Sequence, residues 1–288
     1  MKNLKICFVF SFTIALCSFF ISHGQVISFP DNNFKQALLG SNNCPSPIDK
    51  NNNGEIEMSE AATVYTLCLS KKNIHDLTGI EFFTSLENLH CQNNLLTKIN
   101  IQSLSKLNYL VISENLIDTL IIESNSLRNL ECSKNKMSYL DIGNCPSLRT
   151  LVCSNNNLES LPLNNNFNLY NLYCDSNNLK TLDVSLTSLN DSPAGPSLYC
   201  ISNTNLKTIC INEAQVSAGS SWRKDETSSY SIACATVTSL DENSEINNTR
   251  NIAGIYSFTG QLISESMAVN GIYFYRYNDG SSKKILKQ

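Results

Sequence analysis

The sequence is poor in the residues from which active sites are usually built. Histidine occurs three times in 288 residues, at His23, His75 and His90. There is no G-x-S-x-G, no phosphate-binding glycine loop and no C-x-x-C pair, which argues against hydrolase, nucleotide-dependent and zinc-dependent chemistry. Charge is scarce too: 16% of residues are charged, and 21 basic against 25 acidic residues give a net charge of −4. A mildly acidic surface argues against nucleic acid and anionic membranes as partners. Beyond residue 21 there is no long apolar run, so no membrane-spanning helix is expected after the start of the chain.

That start reads as a leader. Lys2 and Lys5 precede a nearly all-apolar stretch from Ile6 to Ile21, and Ser22-His23-Gly24 offers small residues at −3 and −1 for cleavage before Gln25. Leu16 before Cys17 does not suit a lipid anchor. Removing residues 1–24 takes two of the 21 basic residues and no acid, leaving 19 against 25, or about −6. Of the 12 cysteines, Cys7 and Cys17 would leave with the leader; the other ten would sit in an exported chain, where disulfides are permitted.

What the chain does have is a repeat. LENLHCQNNLLTKINI from Leu86 aligns with LNYLVISENLIDTLII from Leu107, LRNLECSKNKMSYLDI from Leu127, LRTLVCSNNNLESLPL from Leu148 and LYNLYCDSNNLKTLDV from Leu169. The consensus is L-x-x-L-x-C-x-x-N-x-L-x-x-L-x-L, the leucine-rich-repeat pattern with Cys at one Leu position. The expected fold is a mainly β repeat solenoid, a leucine-rich-repeat arc of parallel strands whose Leu columns stack into one core. Asn94, Asn115, Asn135, Asn156 and Asn177 form a column where the chain turns out of each strand, and a buried amide there can serve backbone groups of two turns at once. Cys91, Cys132, Cys153 and Cys174 form another, with Ile112 in the same slot. The interchange marks a small buried hydrophobe rather than a ligand. Residues 64–69 read as a degenerate first copy and residues 198–211 as a degenerate last one, after an insertion at 186–197.

In front of the repeats, Asp49-Lys50-Asn51-Asn52-Asn53-Gly54-Glu55-Ile56-Glu57-Met58-Ser59-Glu60 fits the twelve-residue EF-hand calcium loop. Asp49, Asn51 and Asn53 take positions 1, 3 and 5. Glu55 offers a carbonyl, Glu57 acts through water and Glu60 supplies the bidentate carboxylate, an oxygen set suited to a structural Ca²⁺. Two carboxamides in place of carboxylates imply affinity in the roughly 10⁻⁴–10⁻³ M class. A helix over residues 31–39 leads in and a short one from Ser59 leads out, so this block caps the open end of the solenoid. Cys44–Cys68 and Cys210–Cys234 are the disulfide guesses, although spacing alone does not fix connectivity.

Behind the repeats, a polar stretch at 236–249 precedes two alternating apolar runs, at 252–258 and 271–277, with Asp279-Gly280 as a hairpin signal. The segments I-x-x-x-x-G-Q-L-I and N-G-I-Y-F-Y-R-Y-N-D-G-S-S-K-K-I resemble the C-terminal sorting domain of Bacteroidetes type IX secretion cargo. The middle of the chain is similar to Bacteroidetes L-x-x-L-x-C repeat proteins, including the opening FPDNNF…IDKNNNGEI…SEA and the ending CI…W…YS…C. The resemblance implies an exported protein that meets an outer-membrane export machinery through residues 250–288. It implies no particular ligand.

The organisation expected is therefore a signal peptide at 1–24, an N-terminal cap at 25–63, repeats at 64–211, a C-terminal cap at 212–234, a linker at 235–249 and a sorting module at 250–288. The function expected is binding, not catalysis. His90 and Cys91 look like a base beside a nucleophile, but neighbouring strand residues point to opposite faces. The binding surface is expected on the outward strand positions, with His90, Tyr109, Val111, Glu131, Val152, Tyr173 and Asp175 facing a protein or glycan ligand at a secreted or cell-surface location. The alternative is a structural envelope component, or an inhibitor of another enzyme.

Overall fold

The computed structural model describes residues 24–40, 47–190 and 197–232, together with C-terminal strands at 252–257, 262–263, 271–277 and 282–287. The expected leader up to residue 23, Cys44, Cys234, the expected linker and residues 191–196 of the insertion lie outside the described residues.

The repeats fold as a leucine-rich-repeat solenoid. Each L-x-x-L-x-C core gives one three-residue strand: β1 (Thr66–Cys68), β2 (Asn88–His90), β4 (Tyr109–Val111), β6 (Asn129–Glu131), β7 (Thr150–Val152) and β8 (Asn171–Tyr173), followed by the two-residue β10 (Leu198–Tyr199). These seven form one parallel sheet in the order β1-β2-β4-β6-β7-β8-β10. Leu67, Leu89, Leu110, Leu130, Leu151, Leu172 and Leu198 stand in register down its middle and all are buried. On the other side of the core, β3 (Lys98–Asn100) pairs with β5 (Thr119–Ile121), while β9 (Thr181–Asp183), β11 (Thr208–Cys210) and β12 (Ser229–Ser231) form a second parallel group. Between the two groups, Pro162 has no N–H to offer a ladder.

The turn out of each strand is strained in the same way. Lys71, Asn93, Glu114, Lys134, Asn155, Ser176 and Ser202 all adopt left-handed φ of 52–59°, a region that side chains other than Gly seldom occupy. An asparagine follows all of these but Lys71, which precedes Lys72, and it compensates. Asn156 Nδ2 donates to Cys153 O in its own turn and to Cys132 O in the preceding one, both at 3.1 Å. Its Oδ1 accepts the Met137 N–H at 3.2 Å. Asn94, Asn115, Asn135 and Asn177 repeat this pattern. Asn203 is a sixth member that the degenerate last copy conceals in the sequence.

The N-terminal block closes one end of the core. Asp31 caps α1 (Asn32–Leu39) by accepting from Phe34 N, and its other oxygen accepts from His75 N and Asp76 N in the first repeat. That places buried Phe34 and Leu38 on the open end of the solenoid. Residues 25–27 run antiparallel to the loop exit: Ile27 N donates to Ile56 O and Met58 N to Gln25 O, both at 2.9 Å. The exit helix, α2, spans Met58–Ala61. At the other end, Trp222 is buried with its ring edge-on to Tyr230, centroids 5.9 Å apart.

The Cys44–Cys68 guess fails. Cys68 is a free thiol, because it sits on the outward side of β1 rather than facing the cap. Cys210 is disulfide-bonded, and its expected partner, Cys234, lies outside the described residues. The C-terminal module is a four-stranded antiparallel sheet of β13 (Ile252–Ser257), β14 (Leu262–Ile263), β15 (Gly271–Tyr277) and β16 (Ser282–Lys287), in the order β14-β13-β15-β16. Among the described residues no helix is long and apolar enough to cross a membrane.

Asn156→Leu should strand one N–H and two carbonyls in the core and lower stability by about 1–3 kcal/mol. Asn178→Ala, at an exposed position beside the column, should stay within about 0.5 kcal/mol of the parent. Urea unfolding of the two variants measures the difference.

Candidate functional site

The sheet presents its outward side to solvent, one strand position from each repeat lying directly beside the next. One such row runs in register through Cys68, His90, Val111, Glu131, Val152, Tyr173 and Tyr199. A parallel row holds Thr66, Asn88, Tyr109, Asn129, Thr150 and Asn171. As far as Tyr199 neither row carries a Lys or Arg, although lysines are common on the turns.

Two side-chain groups organise this face. In its first half the His90 ring lies against Tyr109, centroids 5.4 Å apart, and the Tyr109 hydroxyl donates a short hydrogen bond to Glu131 Oε1. Burial, then the Glu131 hydrogen bond and charge, push the Tyr109 phenol up to about 12. In the second half Tyr173 and Tyr199 stack at 4.8 Å with planes 17° apart. Burial, with the Tyr199 and Asp175 contacts behind it, raises the Tyr173 phenol. The Ser154 hydroxyl donates to Asp175 Oδ2 at 3.0 Å.

Of the residues expected on this surface, His90, Tyr109, Glu131, Val152, Tyr173 and Asp175 are half-buried on it. Val111 is only 6% exposed. It lies between His90 and Glu131 in the row and offers a partner little area. Sequence reasoning missed Tyr199, which the insertion puts out of phase with the other copies. The neighbouring thiols play no part in the face. Cys91, Cys132, Cys153, Cys174 and Cys200 are buried and free, and burial raises all five, Cys91, Cys153 and Cys200 to about 12. They are neutral packing groups on the inner side of the sheet.

The loop at 49–60 gathers oxygens at the other candidate site. Asp49 accepts from Asn53 N and Gly54 N, and Asn53 Oδ1 from Glu55 N. Gly54 allows the turn with φ of 81°. Glu57 and Glu60 are 2% and 7% exposed. Glu57 takes the side-chain amides of Asn53 at 2.7 Å and Asn51 at 3.3 Å. Hydrogen bonding with Glu60, then with Asn53 and Asn51, holds its carboxyl below the usual range. Glu60 spans the loop, accepting from Lys50 N at 2.8 Å and Glu57 N at 3.0 Å. Glu55 turns outward to Lys35 at 2.7 Å. The oxygen-only donor set suits a hard cation, and no Lys or Arg among the described residues pairs with Glu57 or Glu60. The carboxylates do not yet converge: among the described residues no three acidic, His or Cys side chains are disposed around one point.

The fold is that of a leucine-rich-repeat protein. No protein-family model matches the sequence, and no curated protein matches it. Solved structures with similar coordinates include the functional domain of InlJ from Listeria monocytogenes, described as including a cysteine ladder. It is 23% identical with a TM-score of 0.48, over 73% of this chain and 49% of that one. The internalin InlF from the same organism is 20% identical with a TM-score of 0.45, over 70% and 71%. A leucine-rich-repeat protein from Bacteroides thetaiotaomicron is 18% identical with a TM-score of 0.46, over 58% and 23%. The chain thus spans about half the length of the InlJ structure.

A phenol whose ionisation is raised by folding holds its proton more tightly in the folded state than in the unfolded one. Tyr109 and Tyr230, both near 12, therefore add stability that is fully present below about pH 10 and is lost as the pH rises toward 12. A phenolate titration followed by ultraviolet absorbance should show late-ionising tyrosines. Glu131→Gln should lower the Tyr109 value yet leave it above the ordinary 10, because burial is the larger cause.

Proposed function

We propose that this chain is an exported, non-catalytic binding protein that holds a protein partner on its outward strand face. The observation that carries the reading is the ordered row of aromatic and acidic side chains on that face, set by the parallel register. Tyr, with large area and few rotatable bonds, is the residue type binding surfaces favour. A protein suits the face better than a glycan does. The Tyr173 and Tyr199 rings turn flat sides to one another, which leaves one face fewer on each for stacking on a sugar. Export through a leader at 1–24 and delivery to the cell surface through residues 250–288 complete the reading, supported by the sequence resemblance of the C-terminal module. Immobilised protein should capture a partner from the surface proteins of its own source organism, and Tyr109→Ala with Tyr173→Ala should release it. Capture that the double variant leaves unchanged would remove the strand face from the reading.

A second proposal concerns the loop. Glu57 and Glu60 are two buried carboxylates that pair with no cationic side chain among the described residues, which supports a structural Ca²⁺ held by Asp49, Asn51, Asn53, the Glu55 carbonyl, Glu57 and Glu60. The ion would supply the missing positive charge and draw the carboxylates together. With affinity of roughly 10⁻⁴–10⁻³ M, about 10 mM Ca²⁺ should stabilise the fold by about 1.4–2.7 kcal/mol. Thermal unfolding should rise by several degrees against a chelator control, and Glu60→Gln should abolish the rise. An equal rise in the variant would sink the calcium assignment.

A further inference from the structure

The outward face ends differently from how it begins, and the contrast deepens the reading of that face as a binding surface. In its first half the polar heads hold one another: Tyr109 donates to Glu131, and Asn88 Nδ2 to Thr66 Oγ1 at 3.3 Å. Past β8 the row continues from Tyr173 to Tyr199 and on to Arg223, which forms a parallel bridge with Tyr199. The bridge is firm: Arg223 N donates to Leu198 O at 2.9 Å, and Cys200 N to Arg223 O at 2.8 Å. Arg223 is nevertheless exposed, and it forms no ion pair with a described residue. Two positions on from Tyr199, the isoleucine at 201 is 42% exposed.

Of the other charges at this end, Asp225, Asp175 and Lys224 contact protein groups, while Glu226 is exposed and forms no ion pair with a described residue. Asp225 accepts the Ser202 and Asn203 N–H groups at 2.9 and 2.8 Å, one on each oxygen. Asp175 accepts from Ser154 on one oxygen, and its second oxygen is buried without a hydrogen-bond partner. Lys224 turns away, donating to Ser228 O at 2.6 Å with its ammonium 5.4 Å from the centre of the Tyr230 ring. Arg223 is thus a cationic head that this end leaves for a partner, beside a stiff pair of phenols and an exposed aliphatic side chain. Guanidinium recognises carboxylate through a fixed two-pronged geometry. Tyr and Arg are the types that dominate binding energy at interfaces.

We infer that Tyr173, Tyr199, Ile201 and Arg223 form the anchor of the binding face, and that its occupant is an extended acidic segment of a partner protein. A carboxylate of that segment would meet Arg223, an apolar side chain would cover Ile201, and the tyrosine hydroxyls would bond its backbone.

The test uses the full chain passed over three sets of immobilised peptides: Glu alternating with Leu and Phe, Lys in place of Glu, and an uncharged set. The acidic set should be retained. Arg223→Glu should weaken that retention at least about tenfold, and Arg223→Lys should restore part of it. Ile201→Asp should weaken it too. Lys136→Glu, an equal charge reversal off the face, should not. Matching circular dichroism and thermal midpoints establish that the variants fold. Preference for the Lys set, or retention of none, overturns the acidic occupant. Retention of the acidic set that survives both Arg223→Glu and Ile201→Asp overturns the anchor. If Tyr109→Ala abolishes that surviving retention, the strand face stands and only its anchor is wrong.

Discussion

The structure depends on an asparagine amide repeated through six successive turns. A short strand must end in a sharp turn for the chain to cross to the other side of the core, and here the turn puts a side-chain-bearing residue in left-handed backbone conformation. Carbonyls and N–H groups near that turn are buried and cannot reach water. The amide that follows has two donors and an acceptor, and it distributes them over two successive turns. Each repeat is thereby tied to its predecessor by the same groups that satisfy its own turn. This explains why Asn recurs from Asn94 to Asn203, with Lys72 in its place only in the first turn: an Asp would lack the donors, and a Leu would lack everything but volume. The parallel register, the stacked Leu column and the outward row all follow from a fixed step between turns.

The cysteines illustrate the opposite kind of constraint. Their column accepts Leu69 and Ile112 as readily as Cys, because what the site requires is apolar volume. Burial keeps the thiols protonated, and a protonated thiol is a poor nucleophile for disulfide exchange. The chain can therefore keep a stack of free thiols in its core without cross-linking them. Cys210, half-exposed on β11 where the core ends, is the one described cysteine in a disulfide.

The N-terminal cap joins three things that the sequence leaves separate. Asp31 ties α1 to the first repeat, residues 25–27 pair with the exit of the loop at 49–60, and Lys35 bridges to Glu55 within it. An ion bound in the loop would act on this whole end of the solenoid rather than on a single turn.

The repeat period, the inward Leu columns and the first five asparagines were legible from the sequence, because a solenoid converts one spatial step into one interval along the chain. The disulfide guess at Cys68 was not. Sequence proximity to the loop says nothing about which side of β1 a side chain takes, whereas the alternation of a paired strand decides it. The loop's oxygen donors could be read from their spacing, but not that Glu57, at position 9, would gather the two carboxamides, since burial beside Ile56 and residues 25–27 is a tertiary effect. The face was half legible. Alternation located His90, Tyr109, Glu131 and Tyr173, yet the concealment of Val111 depends on its neighbours in adjacent turns. Tyr199 and Arg223 join the same row only because the sheet restores a register that the insertion at 186–197 and the irregular cap remove from the sequence. The sequence by itself determined the repeat and what fills its core. Tertiary structure decided which polar heads satisfy one another and which are left for a partner, because that depends on strands side by side in space and more than twenty residues apart in the chain.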